Sequence, residues 1–229
     1  MEILVNHDAI LPRLTIGQGI DQGESRMKKI EQKKKEKLAS ILNAAQGLFQ
    51  SGGFIGTSMD KIAEKAGVTK QTVYRYFDSK EALFMAALEA QRLQAKNNFL
   101  EALEQEDATA ALETFAYGFI EKHLSREHLA NIRLLVSEGP MVPEITRAFY
   151  ATGPRRTQTC LARFLEDRFK IVDAEYEISV FLAVLLSMRM SVLTGLNEPP
   201  SPARIREHAV KAVKVLLKLL DRQEETGEP

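Results

Sequence analysis

The segment TSMDKIAEKAGVTKQTVYRYFDSK, residues 57–80, fits two helix starts and a helix stop into one short stretch, which leaves few folds open to the chain around it. Thr57 and Ser58 are side-chain caps, and Asp60 sits where the acid of a capping box would reach back, so a helix is predicted to start here. Met59, Ile62 and Ala63 recur at helical spacing and give that helix one apolar stripe. Ala66-Gly67-Val68 follows: a small residue, a glycine able to take positive φ at a helix end, and an apolar plug between helices. Thr69 then caps a second helix, whose Val73 and Phe77, four residues apart, point into a small core. Two short helices joined by so tight a turn predict a helix-turn-helix.

At about 100° per residue, the face opposite Val73 and Phe77 carries Gln71, Thr72 and Arg75, flanked by Tyr74 and Tyr76, with Lys70 on the first turn. The face reads as polar, long-armed and uncapped by acids. An amide, a hydroxyl and a guanidinium can address base edges in a major groove, whereas Thr69, Lys80 and the tyrosine hydroxyls suit phosphate oxygens. The N-terminal dipole of the second helix favours an anion at the same place. A DNA recognition helix accounts for all of this. The spacing alone also admits a helical hairpin with an ordinary solvated face.

With Phe49, Gly53, Phe54, Thr57, Ile62, Ala63, Ala66-Gly67-Val68, Thr72, Val73, Tyr74, Tyr76-Phe77 and Ser79-Lys80-Glu81 taken together, about residues 36–84 resemble the DNA-binding domain of TetR-family transcriptional regulators. The resemblance implies DNA contacts at Thr57, Thr69, Lys70, Gln71, Thr72, Tyr74, Tyr76 and Lys80; Arg75 is added from the helical wheel. Many family members carry glycine where this chain has Gln71, which leaves open the base that Gln71 reads, if it reads one. A softer likeness runs from Arg133-Leu134-Leu135 through Ala148-Phe149-Tyr150 to Gly153-Pro154, which looks like the C-terminal domain of AefR-like members.

The charge balance supports a polyanionic partner once it is split along the chain. The chain as a whole is neutral, but residues 26–80 hold twelve lysines and arginines against five acids, a net +7, while residues 1–25 come to −3 and residues 81–229 to −4. A basic head on a mildly acidic remainder places the electrostatic footprint at one end. Five tyrosines, eleven phenylalanines, no tryptophan and few alternating β-branched runs argue for an all-α protein, and 45% hydrophobic residues in 229 can bury a sizeable core. A single cysteine, Cys160, fits a reducing cytoplasm and reads as packing. No run approaches a membrane span and no leader is recognisable, so the expected place is the cytoplasm, at the nucleoid when DNA-bound.

The expected organisation is a flexible extension over residues 1–25, a three-helix head over 26–80 and an effector-binding and dimerisation domain over 81–229. The run RMKKIEQKKKEK, residues 26–37, is either a solvated helix face or an arm along phosphates. Leu38, Ile41, Leu42, Ala45, Leu48 and Phe49 predict the first helix of the head, ended at Gly52-Gly53. One long helix is expected from about Asp78 toward Leu103. Further helices are expected near 109–124, 127–137, 144–170 with a break at Gly153-Pro154, 174–195 and 202–221. The last two are apolar on more than one face. They are either a core hairpin of a monomer or, as the resemblance implies, the interface of a homodimer, a four-helix bundle with acids and bases too sparse to cover a solvent-facing side.

Other chemistries find little support in the residues. His123 and His128 are five apart and so do not share a helical face as metal ligands four apart would; no metal, cofactor or catalytic constellation is expected, and the chain is not read as an enzyme. Phe115, Phe119, Met141, Phe149, Tyr150 and Met188 either line a cavity for the hydrophobic effectors that family members often bind or are plain core, with Arg133, Arg147 and Arg189 as candidate polar anchors. The resulting expectation is a homodimeric repressor on a palindromic operator, released by a small hydrophobic effector, with the control of efflux pumps implied by resemblance alone. The alternative is a helical scaffold whose head engages a protein partner.

Overall fold

A computed structural model of the chain describes residues 21–94 and 99–226. Among these residues the regular structure is entirely helical: α1 (Asp21–Gly52), α2 (Met59–Ala66), α3 (Lys70–Tyr76), α4 (Lys80–Gln94), a 3-10 turn (Phe99–Glu104), α5 (Ala108–His123), α6 (Arg126–Glu138), α7 (Pro143–Thr152), α8 (Pro154–Phe169), α9 (Glu175–Leu185), α10 (Arg189–Leu193) and α11 (Pro202–Thr226). The expected all-α class with an N-terminal helix-turn-helix is what is found. No described helix is long and apolar enough to cross a membrane.

The chain divides into two compact units, one up to Ala39 and one from Ser40 onward. The described part of the first is the leading stretch of α1, in which residues 26–37 are all exposed, so the basic run is a solvated helix. Of the extension expected over residues 1–25, residues 1–20 lie outside the described residues and α1 has already begun at Asp21.

The second unit holds two hydrophobic clusters. The smaller gathers Ile41, Ala45 and Phe49 of α1, Phe54, Met59 and Ile62 around α2, Val73 of α3, and Leu83, Phe84 and Leu88 of α4. Phe49, Phe54 and Phe84 form its centre, with ring centroids 5.3–5.6 Å apart. Leu134 of α6 and Ile145 and Ala148 of α7 belong to the same cluster, so the head's core is built partly from the later helices. The larger cluster packs α5, α8, α9 and α11 around Leu112, Phe115, Leu161, Phe181, Val213 and Leu216. Cys160 packs against it.

Two expected helices are shorter than their periodicity. α4 is described as far as Gln94, and Phe99–Glu104, within the span expected to be one long helix, is a 3-10 turn. The helix expected over 174–195 breaks after Leu185. The Val184 carbonyl accepts from Ser187 N at 3.1 Å and from His208 Nε2 of α11 at 2.8 Å, which tightens the last turn and ends it. The break expected at Gly153-Pro154 is present, with Pro154 opening α8.

Candidate nucleic-acid interface

The helix-turn-helix is held by local caps of the expected kind. Ser58 is the N-cap of α2 and its Oγ accepts from Lys61 N at 3.3 Å. Gly67 takes φ 67°, the left-handed conformation a side chain disfavours, and Val68 N then donates back to the Ala63 carbonyl at 3.0 Å. Ser40 of α1 closes the same helix end by donating to the Ala66 carbonyl at 2.8 Å. Thr69 caps α3, accepting from Thr72 N at 3.2 Å. Val73 is fully buried beneath α3, whereas Phe77, expected to lie beside it, is half-buried.

The opposite face of α3 presents Lys70, Gln71, Tyr74 and Arg75 to solvent, with Thr69 exposed at its start and Thr72 and Tyr76 half-buried beside them. One correction concerns charge. Asp60, expected to complete a capping box, instead reaches Lys70, whose Nζ lies 2.9 Å from Asp60 Oδ2, so the face is not clear of acids. The hydrogen bond to Asp60, and then its charge, raise the Lys70 pKa. The pair is solvent-exposed and so readily exchanged for another anion.

Thr57 and Lys80, by contrast, make their contacts inside the head. Thr57 is buried, and its hydroxyl donates to the carbonyls of Gly53 at 2.7 Å and Leu48 at 3.2 Å. Lys80, at the start of α4, donates from Nζ to the carbonyls of Phe54 at 2.7 Å and Thr57 at 2.9 Å, and its ammonium stands 4.3 Å from the centroid of the Phe54 ring. An ammonium held by two carbonyls and a ring braces the loop before α2.

Polar contacts also join the head to α6. Ile55 N donates to Glu138 Oε2 at 2.7 Å, and Asn131, buried, accepts from Gln50 Nε2 of α1 at 3.3 Å while donating to Gln91 Oε1 of α4 at 2.8 Å. Gly53 takes φ 76°, and a Cβ there would fall 2.0 Å from Glu138 Oε1.

The residues expected to line an effector cavity separate into three groups. Phe115 and Phe119 are buried in an aromatic stack with Phe99, and Phe115 also stacks on Phe181. Met141 is exposed, Arg147 is exposed and paired with Glu144 at 2.6 Å, and Arg133 donates from the surface to the Leu193 carbonyl at 3.1 Å. Met188 packs partly buried against the larger cluster. Phe149, exposed Tyr150 and half-buried Arg189 lie around a histidine pair that the spacing set aside as metal ligands. His123 and His128 sit on different helices, the end of α5 and the start of α6, and their rings meet edge-on with centroids 4.4 Å apart. Burial, above all, lowers the pKa of His123 to about 4; burial and then the His123 charge lower that of His128 to about 2, and Arg189 and Lys122 add to both. Among the described residues no group of three or more potential ligands is placed to hold a metal ion.

Comparison with known proteins is consistent with this geometry. Residues 41–87 match the family of bacterial regulatory proteins described as the tetR family, and residues 110–219 match the C-terminal domain of AefR-like transcriptional repressors. The fold superposes on a TetR-family transcriptional regulator from Mesorhizobium loti MAFF303099 with a TM-score of 0.68 and 30% identity, over 80% of this chain and 96% of the other. The chain belongs to the TetR family. This TetR-family chain is likewise similar to the flavonoid-responsive regulator FrrA, at 31% identity and a TM-score of 0.63 over 80% of this chain and 96% of that one. Among curated relatives, it is 50% identical to the transcriptional regulator RutR of Escherichia coli K12 over 52 residues, a match that spans only 24% of RutR. As a TetR-family member the protein is a DNA-binding transcriptional regulator and not an enzyme.

Proposed function

We propose that the protein is a homodimeric repressor that reads a palindromic operator with α3 and is released from it by a small hydrophobic effector bound within residues 81–229. The observation that carries the DNA reading is the α3 face. Lys70, Gln71, Tyr74 and Arg75 are exposed together on a helix whose other side is locked by Val73. Arg75 and Gln71 address base edges; Thr69, Lys70, Thr72, Tyr74 and Tyr76 serve the backbone. Thr57 and Lys80 support this surface from below. Two such heads would enter successive major grooves about 34–36 Å apart.

The dimer reading rests on α9, where Tyr176, Ser179 and Ala183 are exposed on one face, two of them small enough for close helix packing, and on Val215 of α11. The expected scarcity of charge does not extend to α11, which also exposes Arg204, Lys211, Lys214 and Lys218, so α9 carries the more apolar share of the proposed 174–221 interface. The flavonoid response of FrrA supports an aromatic effector here, and an efflux system of matching specificity is a fitting regulated target.

The test is operator binding by the purified chain to DNA from its own upstream region across salt concentrations. We expect salt-sensitive, sequence-selective binding; Arg75→Ala should cost about 1–3 kcal/mol and relax specificity, and Lys70→Ala should reduce the salt slope by about one. Equal affinity for scrambled DNA would overturn the reading in favour of a head that engages a protein.

A further inference from the structure

The meeting of α5 and α6 leaves a buried hydrogen-bonding group unanswered. His123 stacks on Phe119 with centroids 3.8 Å apart, and its Nδ1 lies 2.7 Å from the Phe119 carbonyl oxygen. A carbonyl only accepts, so that nitrogen carries the proton and His123 Nε2 is a lone pair. His128 meets this ring edge-on, and its own Nε2 is buried with no hydrogen-bond partner. Phe149 lies 5.7 Å from the His128 ring, and Tyr150, which is exposed, lies 6.2 Å beyond Phe149, so a row of rings runs from this nitrogen to the surface.

A phenylalanine at position 128 would fill similar space without burying an unpaired polar atom, a cost that folding alone does not explain. The electrostatic setting narrows what could answer it. Arg189 and Lys122, each lowered in pKa chiefly by burial, make the field at both histidine rings positive. A positive field beside neutral imidazoles favours an oxygen that carries, or readily releases, an acidic proton. A phenolic hydroxyl meets each condition. It donates or accepts, so it suits either tautomer of His128, and its ring extends the aromatic row.

We propose that the His123–His128 seam is the polar end of the effector site and takes a planar aromatic compound through a phenolic hydroxyl hydrogen-bonded to His128 Nε2, with Phe149 and Tyr150 against the ligand's plane and Arg189 favouring its ionised form. This inference rests on the reading of residues 81–229 as the effector domain. A purely hydrocarbon ligand of the same shape would leave the nitrogen unanswered and bind more weakly.

The experiment titrates the full-length protein with 7-hydroxyflavone and with its methyl ether, 7-methoxyflavone, and repeats both titrations on His128→Phe and His128→Gln. We expect the wild type to prefer the free hydroxyl by about tenfold or more, His128→Phe to lose the preference while melting a few degrees higher, and His128→Gln, whose amide both donates and accepts, to retain part of it. Binding of neither compound by the wild type, equal binding of both, or an undiminished preference in His128→Phe would overturn the site. Operator affinity measured with each compound separates this from the proposed function. Hydroxyl-selective binding that leaves operator affinity unchanged supports the site and sinks the release mechanism. Release by both compounds alike keeps the mechanism and overturns the site.

Discussion

The head and the α5–α6 seam treat buried polarity in opposite ways. In the head and where α6 meets it, the polar groups that go inside are answered: Thr57 and Lys80 by carbonyls, and Asn131 by Gln50 and Gln91. At the seam, His128 is buried with its Nε2 open. Satisfied buried networks fix one arrangement, and an open valence leaves free energy available to whatever completes it. A surface that must match DNA in register gains from the first condition, and a site that must respond to a molecule gains from the second.

The comparison can be broken most forcefully at the centre of the head. Phe84→Ala removes the ring that meets both Phe49 and Phe54, and about 3–5 kcal/mol should be lost in urea denaturation, with operator binding lost alongside. A loss below about 1 kcal/mol would show that the aromatic centre does not hold the DNA-binding surface.

Acid should act next, and on the seam. Both histidines have folded pKa values below the unfolded 6.5, about 4 for His123 and about 2 for His128, so the unfolded chain binds more protons at any pH under about 6.5. Their contribution is therefore fully present above about 6.5 and falls as the pH drops toward 4, by up to about 1.4 kcal/mol per unit for each histidine. Denaturation at pH 7.5, 6.0 and 5.0 should show this slope, and His128→Phe should halve it. A profile flat from pH 7.5 to 5.0 would mean that the seam is open to water.

Asn131→Leu sharpens the contrast directly. It strips Gln50 and Gln91 of their shared partner and should cost about 1–3 kcal/mol, whereas His128→Phe should cost nothing. Equal losses from the two would erase the distinction between an answered and an unanswered interior. The smallest effect is expected at a purely local device: Ser58→Ala removes the α2 cap and should cost about 1 kcal/mol, with operator affinity following stability.

What the sequence made legible follows the range of the interactions. Ser58, Gly67 and Thr69 were readable because a cap and its partner lie within a few residues, and the broken helices at Gly153-Pro154 because proline acts on its own neighbours. Thr57 and Lys80 carry the residue types of phosphate contacts, and only the fold shows Lys80 spending its donors on carbonyls 23 and 26 residues back along the chain. The histidine pair escaped a spacing test made for a single helix, because its members stand on two. Likewise, the early end of α9 depends on His208, 24 residues beyond the carbonyl it takes.

The carboxylate that holds the Ile55 amide also fills the space where residue 53 would carry a side chain. The two positions are 85 residues apart in the chain, yet they meet: a side chain at 53 must displace the acid as well as adopt φ 76°, and loss of the acid leaves the Ile55 amide to water. Across relatives, glutamate at 138 should therefore go with glycine at 53.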